Sequence, residues 1–131
     1  PMSIQFKELL DAAGTQDEPQ RLLFLFAQIE KQDSKKHKQR QHGSVVPLMC
    51  VDKLPAELTD FTGLAAEADQ VSAGWDFVLA AGLSGTGGQP PSTDDAEPHL
   101  NKMANDLMMG ADLSRYVIFD RQGNPVSMQA N

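Results

Sequence analysis

The stretch Trp75–Ser92, WDFVLAAGLSGTGGQPPS, decides how this chain is read. Phe77 to Ala81 form a short, continuous apolar run, the pattern of a strand buried on both faces. A glycine-rich segment follows, and a helical pattern opens directly behind Ser92. A strand that ends in such a loop and feeds a helix is where α/β proteins usually place their ligand sites.

Downstream, Ser92 or Thr93 can cap a helix whose first turn carries Asp94, Asp95 and Glu97, charges that the helix dipole favours. Leu100, Met103, Ala104, Leu107 and Met108 give it the longest strict apolar stripe in the chain, and Gly110 fits its C-terminal stop. Met103, Met108 and Met109 at this spacing read as core filling. Tyr116–Phe119 is a further strand. Asp120–Asn124 has turn composition, and Pro125–Met128 returns as a short edge strand.

Upstream, Ser3 can cap a first helix with Phe6, Leu9, Leu10 and Ala13 on one face and Gly14 as its stop. Leu22–Ala27 (LLFLFA) is the most apolar run and reads as a central strand. Val45–Val51 reads as the next strand, with an edge or bulge near Pro47, which has no N–H to donate. Pro55 suits the first turn of a second helix with Leu58, Phe61, Leu64, Ala65 and Ala68 on its apolar face.

These elements predict an α/β (α+β) fold in a single domain spanning residues 1–131, with a mixed four- to five-stranded sheet covered by three helices. Two strand–helix–strand units in the second half predict parallel, right-handed crossovers. The first two strands are expected to pair antiparallel.

The net charge of −7 is unevenly placed. Residues 31–42, KQDSKKHKQRQH, hold five Lys/Arg against Asp33 alone, a local +4 that leaves −11 for the rest. With no periodic apolar residues, the region at about 31–44 reads as a solvated, in part disordered, basic loop between two strands. Lys31, Lys35, Lys36, Lys38 and Arg40 are its candidate contact residues for a macromolecular partner. An acidic body disfavours broad nucleic-acid binding, and the loop has no aromatic residue on which a base could stack. No apolar run approaches the roughly 20 residues that span a bilayer, so membrane insertion is not expected. The acidic first helix is unlike a signal peptide, and a single cysteine, Cys50, fits a reducing cytoplasm.

Gly85, Gly87 and Gly88 are the candidate anion-binding residues, because their N–H groups lie ahead of a helix N-terminus. The loop has no lysine where a P-loop needs one, and Pro90 stands where a dinucleotide fingerprint needs glycine. Ser84 sits after a buried strand, but Gly82-Leu83-Ser84-Gly85-Thr86 has threonine in the final position of a nucleophile elbow. Cys50 reads as a small hydrophobe inside a strand. His37, His42 and His99 have no metal-ligand spacing. The residues therefore assign no catalytic group, metal or cofactor.

Three segments, EPQRLLFLFAQIE (Glu18–Glu30), PLMCVDKLPAELTDF (Pro47–Phe61) and FDRQGNPV (Phe119–Val126), resemble a family of short bacterial proteins that often carry the label of ribonucleotide reductase α subunit. That label implies a radical-bearing cysteine and a redox pair in a large barrel, which one cysteine in 131 residues does not provide. The sequence thus points to a bacterial cytosolic protein acting as a non-catalytic binding or interaction module. The alternatives are a small enzyme or nucleotide/anion-binding domain using Gly85–Gly88, and weak nucleic-acid contact through 31–42.

Overall fold

Strand β1, Gln20–Glu30, holds the fold together, with a sheet neighbour on each side. The structure is a computed structural model and describes residues 5–30 and 44–127. Lys31, Lys35, Lys36, Lys38 and Arg40, together with His37, His42 and Ser3, lie outside the described residues. In chain order the elements are α1 (Phe6–Gly14), β1, β2 (Ser44–Lys53), a 3-10 turn (Pro55–Glu57), α2 (Phe61–Val71), β3 (Phe77–Ser84), α3 (Thr93–Met108), β4 (Val117–Asp120) and β5 (Pro125–Val126). They form one small domain of mixed α and β structure.

The five strands are ordered β2-β1-β3-β4-β5, and all four pairings are antiparallel. This corrects the expectation of a mixed sheet with parallel neighbours. β2 and β3 do run in the same direction, as a strand–helix–strand unit requires, but β1 lies between them. After α3, residues 109–116 return the chain to a start opposite Ala80, so β4 runs against β3. The irregularity expected near Pro47 is present. Phe26 faces Met49 whereas Ala27 faces Pro47, leaving Leu48 as the extra residue of a bulge on an edge strand.

Strand parity sorts the core into two layers. Leu22, Phe24 and Phe26 face α1 and α2 and join Phe6, Leu64, Ala68, Trp75, Val78, Ala80 and Phe119. Leu23, Leu25 and Ala27 face α3 and join Leu79, Ala96, Leu100, Met103, Leu107 and Ile118. The first layer is rich in aromatic rings: Phe6 meets Phe61 and Phe119 edge-on at centroid distances of 5.4 and 5.7 Å, and Phe26 meets Trp75 at 5.0 Å.

The helix ends follow local chemistry. In α1 the Glu8 side chain accepts a hydrogen bond from the Gln5 N–H. The second helix begins later than Pro55 because Asp60 caps Phe61–Val71 by accepting from the Gly63 N–H, and Pro55–Glu57 stays a separate 3-10 turn. Ser92 caps α3 by accepting from the Asp95 N–H at 3.0 Å. Gly110, at φ 68°, ends it, and the next N–H, of Ala111, reaches back to the Asp106 carbonyl. Met103 is buried, but Met108 and Met109 are 61 and 80 % exposed. The reading of all three as core filling is corrected: the buried stripe of α3 is Ala96, Leu100, Met103 and Leu107, and the last turn leaves it.

Candidate functional site

The end of the sheet where β1 starts and β3 stops carries the glycine segment, since Gln20 pairs with Ser84. Thr86 and Gln89 exchange backbone hydrogen bonds of 3.0 Å, closing a two-residue turn. Gly87 and Gly88 sit at its corner with φ of 59° and 80°, the left-handed values that a primed turn demands. The Gly85 N–H donates to the Pro19 carbonyl at 2.8 Å, and the Gly88 N–H donates to the Glu18 carboxylate at 2.8 Å. A Cβ on Gly85 would stand 1.8 Å from the Gln89 carbonyl oxygen, so the backbone closes on itself there. Gly85, Gly87 and Gly88 are thus brought together, but the Gly88 amide already holds an anion: the chain's own Glu18.

Ser84 is engaged in a similar way. Its hydroxyl accepts from the Gln20 side-chain amide at 2.8 Å, and that amide also donates to the Glu18 carbonyl. Among the described residues, Gln20 is the buried polar residue, 7 % exposed. An amide donor cannot take the serine proton as a base would, so this contact anchors the start of β1 to the end of β3.

One residue further, Arg21 shares the α3 face of β1 with Leu23, whose neighbour across the ladder is Asp52. The guanidinium donates to Asp52 at 2.8 Å and to the Pro91 carbonyl at 2.7 Å, while the Thr93 hydroxyl donates to the same carboxylate oxygen at 2.8 Å. Both charged side chains are largely sheltered, at 13 and 17 % exposure. The cluster ties the N-terminus of α3 to strands β1 and β2. Hydrogen bonds from the Ser92 N–H and hydroxyl, with His99 nearby, hold the Asp95 carboxyl below the usual carboxylate range.

A second polar cluster lies at the opposite end of the sheet. Arg121 donates to both oxygens of Asp69 at 3.1 Å and to the carbonyls of Ala73 and Trp75, and it stacks 4.4 Å above the Trp75 ring. The Trp75 indole N–H donates to Asp69 at 2.8 Å. Beside α3, the Tyr116 hydroxyl donates to Asp106 at 2.5 Å, with Lys102 also on that carboxylate. Burial and Asp106 push the Tyr116 phenol up to about 12, and the Tyr116 and Lys102 hydrogen bonds hold Asp106 low.

Cys50 corrects its sequence reading: it is exposed on β2, which among the described residues lies at the edge of the sheet, rather than enclosed. Partial burial of the sulfur still pushes its thiol up, away from the thiolate that a nucleophile requires. Among the described residues, no three His, Cys, Asp or Glu side chains group to hold a metal. Among the same residues, no helix is long and apolar enough to cross a membrane.

Comparison of the chain with protein-family models, with curated proteins and with solved structures finds no match in any of the three. The functional reading therefore rests on the residues themselves. Sequence reasoning found the glycine turn but missed what fills it. The signal was Glu18 immediately before Pro19 and β1, but a contact across 70 residues depends on strand pairing, which the sequence does not display. The Arg21–Asp52 pair had a readable half, the shared parity of Arg21 and Leu23. Its other half needed the β1–β2 register.

Proposed function

We propose that this chain is a non-catalytic interaction module of the bacterial cytosol. It engages an acidic protein partner through the basic segment 31–42, with Lys31, Lys35, Lys36, Lys38 and Arg40 as contact residues. The observation that carries this reading is the hydrogen bond from the Gly88 amide to the Glu18 carboxylate. The feature best suited to small-molecule chemistry is spent on the fold, as is the Ser84 hydroxyl beside it. What then stands out for recognition is the charge pattern, a +4 segment in a chain of net charge −7.

The test uses a polyglutamate peptide and a single-stranded oligonucleotide as separate probes. Polyglutamate should bind, weaken as salt rises, and be lost when Lys35, Lys36 and Lys38 are all replaced by alanine. Unchanged binding by the triple variant overturns the proposal, and preference for the oligonucleotide moves the reading to nucleic acid. Titration with ATP and with phosphate should leave the amide signals of Gly85, Gly87 and Gly88 in place. Shifts confined to those glycines would instead favour a nucleotide or anion site.

A further inference from the structure

Four large apolar side chains stand exposed among the described residues, and two of them, Met108 and Met109, are adjacent and carry sulfur. Met108 closes α3 and Met109 is its C-cap. The core does not account for either, since the buried stripe of the helix is complete at Leu107. The helix end does not depend on them either. The Met109 N–H donates to the Asn105 carbonyl at 2.9 Å, and the Ala111 N–H donates to the Asp106 carbonyl at 2.9 Å. The Tyr116 hydroxyl holds the Asp106 carboxylate. Each of these bonds runs through main-chain atoms or through Asp106, and none through a thioether. Met103 is the opposite case, 2 % exposed within the layer that holds Leu25, Leu100 and Ile118. Met49 lies between them, half-buried against the aromatic layer.

We propose that Met108 and Met109 form an oxidation site for peroxides, whose two sulfoxides change the surface and leave the fold intact. An exposed isoleucine or valine is chemically inert, whereas an exposed thioether offers a sulfur lone pair to an oxidant. The sulfur attacks one peroxide oxygen, the O–O bond breaks as the S–O bond forms, and a proton passes to the departing oxygen, which leaves as water. The sulfur loses two electrons and the peroxide gains them. The product is a polar side chain. At Met103 that polarity would fall inside a packed layer without a donor for the new oxygen. At Met108 and Met109 it meets solvent, and every hydrogen bond that ends α3 is retained.

The test treats the full chain with hydrogen peroxide and follows each methionine by peptide mass spectrometry. Exposed Cys50 is replaced by serine, so that only thioethers react. Met108 and Met109 should each gain one oxygen before Met49 does. They should react about tenfold or more faster than Met103, whose sulfur is reached only through local opening. With both fully oxidised, circular dichroism and the thermal midpoint should stay unchanged, and the chain should elute earlier from a hydrophobic column. Replacing both by leucine keeps the apolar surface. That variant should lose these two oxygen uptakes and the shift in elution, while Met49 and Met103 react as before. Oxidation of Met103 or Met49 as fast as that of Met108 and Met109 overturns the proposal. So does a fall in the thermal midpoint when those two alone carry oxygen.

Discussion

Arg21 and Arg121 perform the same task at opposite ends of the sheet, and they do it by different physics. Each ties a helix end to the strands through one aspartate and at least one backbone carbonyl. Arg21 and Asp52 are sheltered, at 13 and 17 % exposure, while Arg121 and Asp69 stand at 37 and 36 %. A sheltered charge that loses its partner is left in a medium that solvates it poorly, so the pair is costly to break. An exposed pair is screened and contributes little on its own. Arg121 holds its place through two carbonyls and the face of Trp75 instead. The two pairs look alike as contacts, and burial decides which one depends on its charge.

That contrast can be broken or sharpened by substitution. The largest effect should come from Trp75→Ala, which empties a site 1 % exposed and removes the platform under Arg121. Chemical denaturation should register a loss of about 4 kcal/mol. Asp52→Ala should cost about 2 kcal/mol by stranding the Arg21 guanidinium, with increased hydrogen exchange in the first turn of α3. Arg121→Lys keeps the charge but loses the planar fork and the stacking. It should cost about 1 kcal/mol, and that cost should be nearly independent of salt. A strong salt dependence there, or an Asp52→Ala cost no larger than that of Arg121→Lys, would erase the distinction drawn between the two ends.

The smallest effect concerns pH and lies away from both arginines. The Tyr116 phenol ionises at an ordinary 10.0 in the unfolded chain but at about 12 in the fold. Folding therefore favours the protonated form. Its contribution is complete below pH 10 and is lost as pH rises through about 12. Ultraviolet titration should place the phenolate transition near the higher value, and Tyr116→Phe should remove this part of the alkaline loss of stability.

Much of the fold was legible because hydrophobic patterning is local. β1, β3 and α3 are each readable from a few neighbouring residues, and Pro47, with no N–H to donate, marks a strand edge on its own. Strand adjacency was not legible, because nothing in Leu22–Ala27 says that β3 will take the second flank of β1 rather than the outer flank of β2, where a parallel crossover would have put it. The end of the apolar stripe was misjudged at Met108 because periodicity does not record where a helix runs past the sheet beneath it. At the candidate site the turn residues could be read, but their partners Glu18, Gln20 and Asp52 depend on register. A register is a relation between segments rather than a property of either.

The placing of β1 between β2 and β3 has a consequence in time. The β1–β2 pairing joins consecutive strands, whereas β1–β3 pairing brings Gln20 against Ser84, sixty-four positions away. Contacts of that span close late, because chain entropy must be spent before they return anything. Until β3 arrives, the nascent hairpin holds LLFLFA with one flank unpaired, the kind of segment that seeds aggregation. Refolding yield should therefore fall with protein concentration. The step that protects the chain is the docking of β3.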